Sequence, residues 1–110
     1  MMKDLAALKK RYEQDRVEIQ LGGLASNLSR IAWCMRRPEA ATSLTAMLRE
    51  SKYFAEWAAL RAPLETQAVL AEVQVDMALW ERMSLKGRGS PEQAETWAQR
   101  LLRLSGLTAE

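Results

Sequence analysis

The chain has 110 residues, 48% of them hydrophobic and 27% charged, with 16 basic and 14 acidic side chains giving a net charge of +2. That size and balance fit one small globular domain and exclude a disordered or collagen-like chain. A total this close to neutral does not by itself imply attachment to nucleic acid or to an anionic membrane.

The first predicted element covers residues 4–20, a charged amphipathic helix with Leu5, Leu8, Tyr12 and Ile19 on one side. From Val17 the apolar stripe moves. Val17, Leu21, Leu24, Leu28, Ile31 and Met35 recur at spacings of 4, 3, 4, 3 and 4, a coiled-coil-like seam. Gly22-Gly23 sits near the changeover. Adjacent glycines cost about 1 kcal/mol each in a helix interior. The pair therefore predicts either a helix break or close packing along the small-residue strip Gly22, Ser26 and Ser29.

Pro38 suits the first turn of the next helix, because its φ is already helical. Leu44, Met47, Leu48, Phe54 and Trp57 follow at helical spacings, with Ser51-Lys52 a candidate kink. Arg61-Ala62-Pro63 marks a boundary, since the residue before proline avoids the α region.

The helix Leu64–Met83 is apolar on two opposite sides. Leu64, Ala68, Ala71, Val75, Ala78 and Leu79 share one face; Val69, Leu70, Val73, Met77 and Trp80 share the other. An ordinary surface helix buries one stripe, so a helix with two must be covered on both sides, by its own chain or by another copy. Lys86-Gly87-Arg88-Gly89 reads as a loop. Ser90-Pro91-Glu92-Gln93 then supplies an N-cap serine, proline at the first position and glutamine at the third. Trp97, Leu101 and Leu104 form the inner face of the last helix, Gly106 its C′ residue, and Leu107 a contact for Leu102.

No strand pattern interrupts this series. The expectation is all-α: a self-associating four- to five-helix bundle, with residues 1–110 one domain and residues 1–20 a charged helix packing on a partner. Val69, Leu70, Val73, Met77 and Trp80 are the expected interface of a homo-oligomer, with another protein as a further candidate partner. A short likeness between Trp33 through Glu39 and Trp57 through Glu65 is too slight to define a repeat.

Chemistry-bearing patterns are sparse. The chain contains no histidine, which removes Ser–His–Asp, Cys–His and His-Glu-x-x-His arrangements. The acidic seam Glu65, Glu72 and Asp76 lacks the Glu-x-x-His partner of bundle di-metal sites and reads as a solvated, salt-bridged edge. Cys34, the single cysteine, has Arg36 and Arg37 nearby but ends an apolar seam, where a buried inert thiol is expected. Catalytic residues, cofactors and metals are accordingly not expected, and the chain reads as a non-enzyme.

Residues 1–37 carry eight basic against four acidic groups. This supports a second reading, a nucleic-acid-associated protein, with Lys9, Lys10, Arg11, Arg36 and Arg37 as candidate anion contacts. No recognised motif accompanies the charge, so nucleic acid is disfavoured. A third reading makes Trp33, Trp57, Trp80 and Trp97 the lining of a small-molecule or pigment pocket; core and interface anchoring is the plainer role. No apolar run suggests a leader or a membrane span, so a cytoplasmic location is expected.

Leu24 through Ile31, Glu50 through Trp57, and Trp97 through Leu107 together resemble a cyanobacterial family of small helical proteins without an assigned activity. The resemblance covers about residues 20–108 and implies an intracellular protein, with no chemistry and no functional residues to carry over.

Overall fold

The computed structural model describes residues 4–84 and 90–106. Five α-helices and one 3-10 turn account for most of them: α1 (Leu5–Glu13), α2 (Val17–Met35), the turn Pro38–Ala40, α3 (Ala41–Ala59), α4 (Leu64–Ser84) and α5 (Pro91–Ser105). No strand occurs among the described residues, and the all-α expectation holds. The loop 86–89 and the Leu102–Leu107 contact fall outside the described residues.

The seam on α2 is the centre of the molecule. Leu24, Leu28 and Ile31 are fully buried and Leu21 nearly so. α2 packs most extensively against α5 and then α3, while α3 packs against α4. The described residues form a slab of 35 × 34 × 21 Å, about two helix diameters thick.

The expected helix over residues 4–20 is two helices. The break falls at residues 14–16, ahead of Gly22-Gly23, and the reason is the fate of the last α1 carbonyls. A helix end leaves its final carbonyls without intrahelical partners. Here Gln20 Nε2 donates to the carbonyls of Tyr12 and Asp15, both at 3.1 Å. Arg61 Nη1, arriving from the α3–α4 connection, donates to those of Glu13 at 2.6 Å and Asp15 at 3.2 Å. The Tyr12 hydroxyl in turn donates to the Gln20 carbonyl at 2.7 Å. Two side chains from elsewhere in the chain thus satisfy the turn.

α1 packs on its own chain rather than awaiting a partner. The Tyr12 ring stacks on Phe54 with centroids 4.1 Å apart and planes 6° from parallel, and Trp57 closes the cluster at 6.0 Å. Burial, and secondarily the charge of Asp15, raise the Tyr12 phenol above its ordinary value of 10.0.

Gly22-Gly23 does not break α2. The flanking Leu21 and Leu24 are both buried, and packing outweighs local propensity. Ser51-Lys52 does not kink α3 either. Ser51 is fully buried, and its hydroxyl accepts a hydrogen bond from Asn27 Nδ2 of α2 at 3.2 Å. That bond gives the α2–α3 contact a directional element within an apolar core.

The remaining ends follow local rules. The Asp4 side chain caps α1 by accepting from the Ala7 amide at 3.2 Å. Ser90 caps α5 by accepting from the Gln93 amide at 3.1 Å, with Pro91 in the first turn. Gly106 ends α5 at φ 74°, the left-handed conformation that a side chain disfavours.

One prediction concerns the glycine pair. A Cβ built on Gly23 meets nothing within 4 Å. Gly23→Ala therefore relieves the backbone entropy cost of a mid-helix glycine without a clash. It should stabilise the fold by about 0.4–1 kcal/mol. Thermal unfolding followed by circular dichroism reads this as a rise in midpoint of several degrees; a lower midpoint would show that the position needs glycine.

Candidate functional site

The two faces of α4 have opposite fates. Val73 and Met77 are fully buried, and Leu70, Trp80 and Val69 are at most 6% exposed. These five, expected at an interface between copies, are covered by the chain's own helices. Gln74 Nε2 reaches the Lys52 carbonyl of α3 at 3.4 Å, and Trp97 Nε1 of α5 donates to Asp76 Oδ2 at 2.7 Å. The core side of α4 is thereby framed by α3 on one edge and α5 on the other.

The opposite face is open. Leu64 is 82% exposed, Val75 67% and Leu79 50%, with Leu60 in the preceding connection at 71%. Ala68 and Ala71 are exposed beside them, and Ala78 is half-buried. Leu64, Ala68, Ala71, Val75, Ala78 and Arg82 recur at spacings of 4, 3, 4, 3 and 4. That is a second helix-packing seam, on the solvent side. Exposed Glu65 and Glu72 run along its N-terminal half and exposed Arg82 ends it. Sequence reasoning saw both stripes but assigned the wrong one outward. The missed signal was volume: the bulkier stripe fills the core, and the alanine-rich one faces solvent.

The candidate anion contacts do not converge. Lys9, Lys10 and Arg11 lie exposed on α1, which joins the N-terminal end of α2. Arg36 and Arg37 follow the other end of that helix, whose length is about 27 Å at 1.5 Å per residue. Arg36 is already engaged, donating through both terminal nitrogens to Glu95 at 2.9 and 3.1 Å, with Glu92 at 3.8 Å. Arg37 lies 3.8 Å over the Trp33 ring and donates to the Trp33 carbonyl at 2.9 Å.

The tryptophans do not gather either. Trp57, Trp80 and Trp97 belong to the core, while Trp33 is 53% exposed under Arg37. A groove of about 190 Å³ between α2 and α5 is lined by Gly22, Ala25, Ser29, Ala98 and Leu102, among others, with no tryptophan. The similar Trp-x3-Arg segments also differ in environment: Trp33 is exposed and Trp57 buried, so no structural repeat underlies them.

Cys34 is buried, and burial raises its thiol above the ordinary value, opposed only by the charge of Arg37. Among the described residues no group of three His, Cys, Asp or Glu side chains could hold a metal ion. No helix among them is long and apolar enough to cross a membrane. Of the acidic seam, Asp76 is bonded to Trp97, while Glu65 and Glu72 remain at the surface.

Compared with family models, curated proteins and solved structures, the chain matches none.

One ion-pair cluster on α3 and α4 yields a pH prediction. Glu81 receives a hydrogen bond from Lys52 and another from Arg49 Nε at 3.2 Å. Its carboxyl lies below the ordinary 4.5, chiefly through Lys52, with partial burial opposing and Arg49 adding to the shift. A carboxyl depressed in the folded state stabilises the fold above its unfolded-state value. That contribution is lost as pH falls through the lower folded-state value. Denaturant midpoints of wild type and Glu81→Gln should thus differ at pH 7 and converge in acid; a constant difference would remove the linkage.

Proposed function

We propose that this chain is a non-enzymatic helical interaction module that acts by self-association. The observation that carries the reading is the outward α4 seam: three large apolar side chains, each at least half exposed, interleaved with alanines at helix-packing spacing. Exposed apolar residues scattered singly are ordinary, whereas a contiguous seam of them favours a protein contact. Arg36, Arg49 and Lys52 are held in ion pairs, and the five candidate anion contacts are divided between the two ends of α2.

A second copy is the simplest cover, because closed two-fold assembly lets one face serve both partners. Burying Leu64, Val75 and Leu79 contributes about 1.5–3 kcal/mol for each large side chain fully covered. The reading places the protein in the cytoplasm, a setting that suits a single, buried cysteine.

Two substitutions on opposite faces of α4, only two residues apart in sequence, separate association from folding. Val75→Glu places a charge in the open seam and should leave helicity and melting of the monomer intact while lowering the mass seen by light scattering to that of one chain. Val73→Glu places a charge in the fully buried core and should lower stability by several kcal/mol. A wild type of one-chain mass throughout the micromolar range would overturn the proposal.

A further inference from the structure

We infer that α4 pairs with α4 of a second copy in antiparallel orientation, its alanines admitting a close helix contact. This rests on the proposed self-association and adds the direction of the pairing. Two independent features of the exposed seam carry it.

The first is charge. Exposed acids, Glu65 and Glu72, flank the N-terminal half of the seam, and Arg82 stands at its C-terminal end. Antiparallel pairing about a point between Ala71 and Val75 sets Arg82 of each copy beside Glu65 of the other, and the two-fold repeats the match at both ends, with Glu72 near the axis. Parallel pairing instead sets Arg82 against Arg82 and offers neither arginine an acid of the other copy. A face with opposite signs at its two ends is thus self-complementary only when one copy is reversed.

The second is shape. Ala68 and Ala71 are exposed near the middle of the seam, with Leu64 before them and Val75 and Leu79 after them. Reversal about a point between Ala71 and Val75 lays Val75 of one copy over Ala71 of the other and Leu79 next to Ala68, with Leu64 against Arg82. Small residues at such a contact let the helix axes approach near the lower end of the usual 8–10 Å range. Parallel in-register pairing would stack Val75 on Val75 and leave alanine opposite alanine. Large and small positions then no longer interdigitate.

Charge reversal tests the orientation. Arg82→Glu alone, and Glu65→Arg alone, should each raise the dimer dissociation constant roughly tenfold, because each change acts at both ends of the interface. The two together should restore it toward wild type. All these positions are exposed, so the variants keep the fold, and circular dichroism confirms it. A nitroxide at Leu64→Cys in a Cys34→Ala background supplies a direct readout. Antiparallel pairing about residues 71–75 places the two labels roughly 21–33 Å apart along the axis, at 1.5 Å per residue. Parallel pairing places them near the interaxial distance of about 8–10 Å. A wild-type dimer indifferent to the reversals, or one with adjacent labels, would overturn the antiparallel pairing and leave self-association standing. A monomeric wild type would overturn both.

Discussion

The contact between α2 and α3 holds the rest of the molecule together. α5 is attached mainly along α2, α4 along α3, and α1 along α3 through Tyr12. If α2 and α3 separated, neither outer helix would retain a core. The contact is therefore built twice over. Leu24, Leu28 and Leu48 are fully buried, each stabilising the fold by about 1.5–3 kcal/mol relative to exposure. Asn27 and Ser51 add a hydrogen bond between buried polar groups. A sliding of one helix against the other would break that bond and leave both groups unsatisfied, which costs more than the bond itself contributes.

The same arrangement explains where function is sought. α4 and α5 flank the central pair, and each has a side that no helix of the chain covers. Their outward sides differ in kind. α5 presents Glu92, Glu95, Thr96, Gln99, Arg100 and Arg103, a solvated face partly tied to Arg36. α4 presents leucine, valine and alanine. α5 exposes Leu104 alone among its large apolar residues, whereas α4 leaves a contiguous apolar seam in water. The fold already buries its core without covering that seam.

Legibility in the sequence followed the range of the interactions involved. The seam Leu21, Leu24, Leu28 and Ile31 was readable because its period alone specifies one buried side. α4 was not, because both of its stripes satisfy the same period. Which one turns inward depended on α3 supplying carbonyls and a packing surface, and on Trp97 arriving from α5 to bond Asp76. The volume difference between Met77 or Trp80 and Ala68 or Ala71 was present in the chain, but it becomes decisive only against a core of given size. The turn at residues 14–16 was hidden for a related reason. It depends on Arg61, forty-six residues beyond Asp15, and no local pattern announces a donor that distant.

By itself the sequence determined the helical class, the cap residue Ser90, the terminating Gly106 and the proline-marked boundaries. Each of these depends on φ, on a missing amide hydrogen, or on a side chain within three residues. Tertiary structure decided the continuity of α2 through two glycines, the burial of Tyr12, and the outward turn of Leu64, Val75 and Leu79. Those outcomes depend on apolar area removed from water by residues distant in the chain. Solvation free energy of that kind is a property of the assembled packing rather than of any short segment.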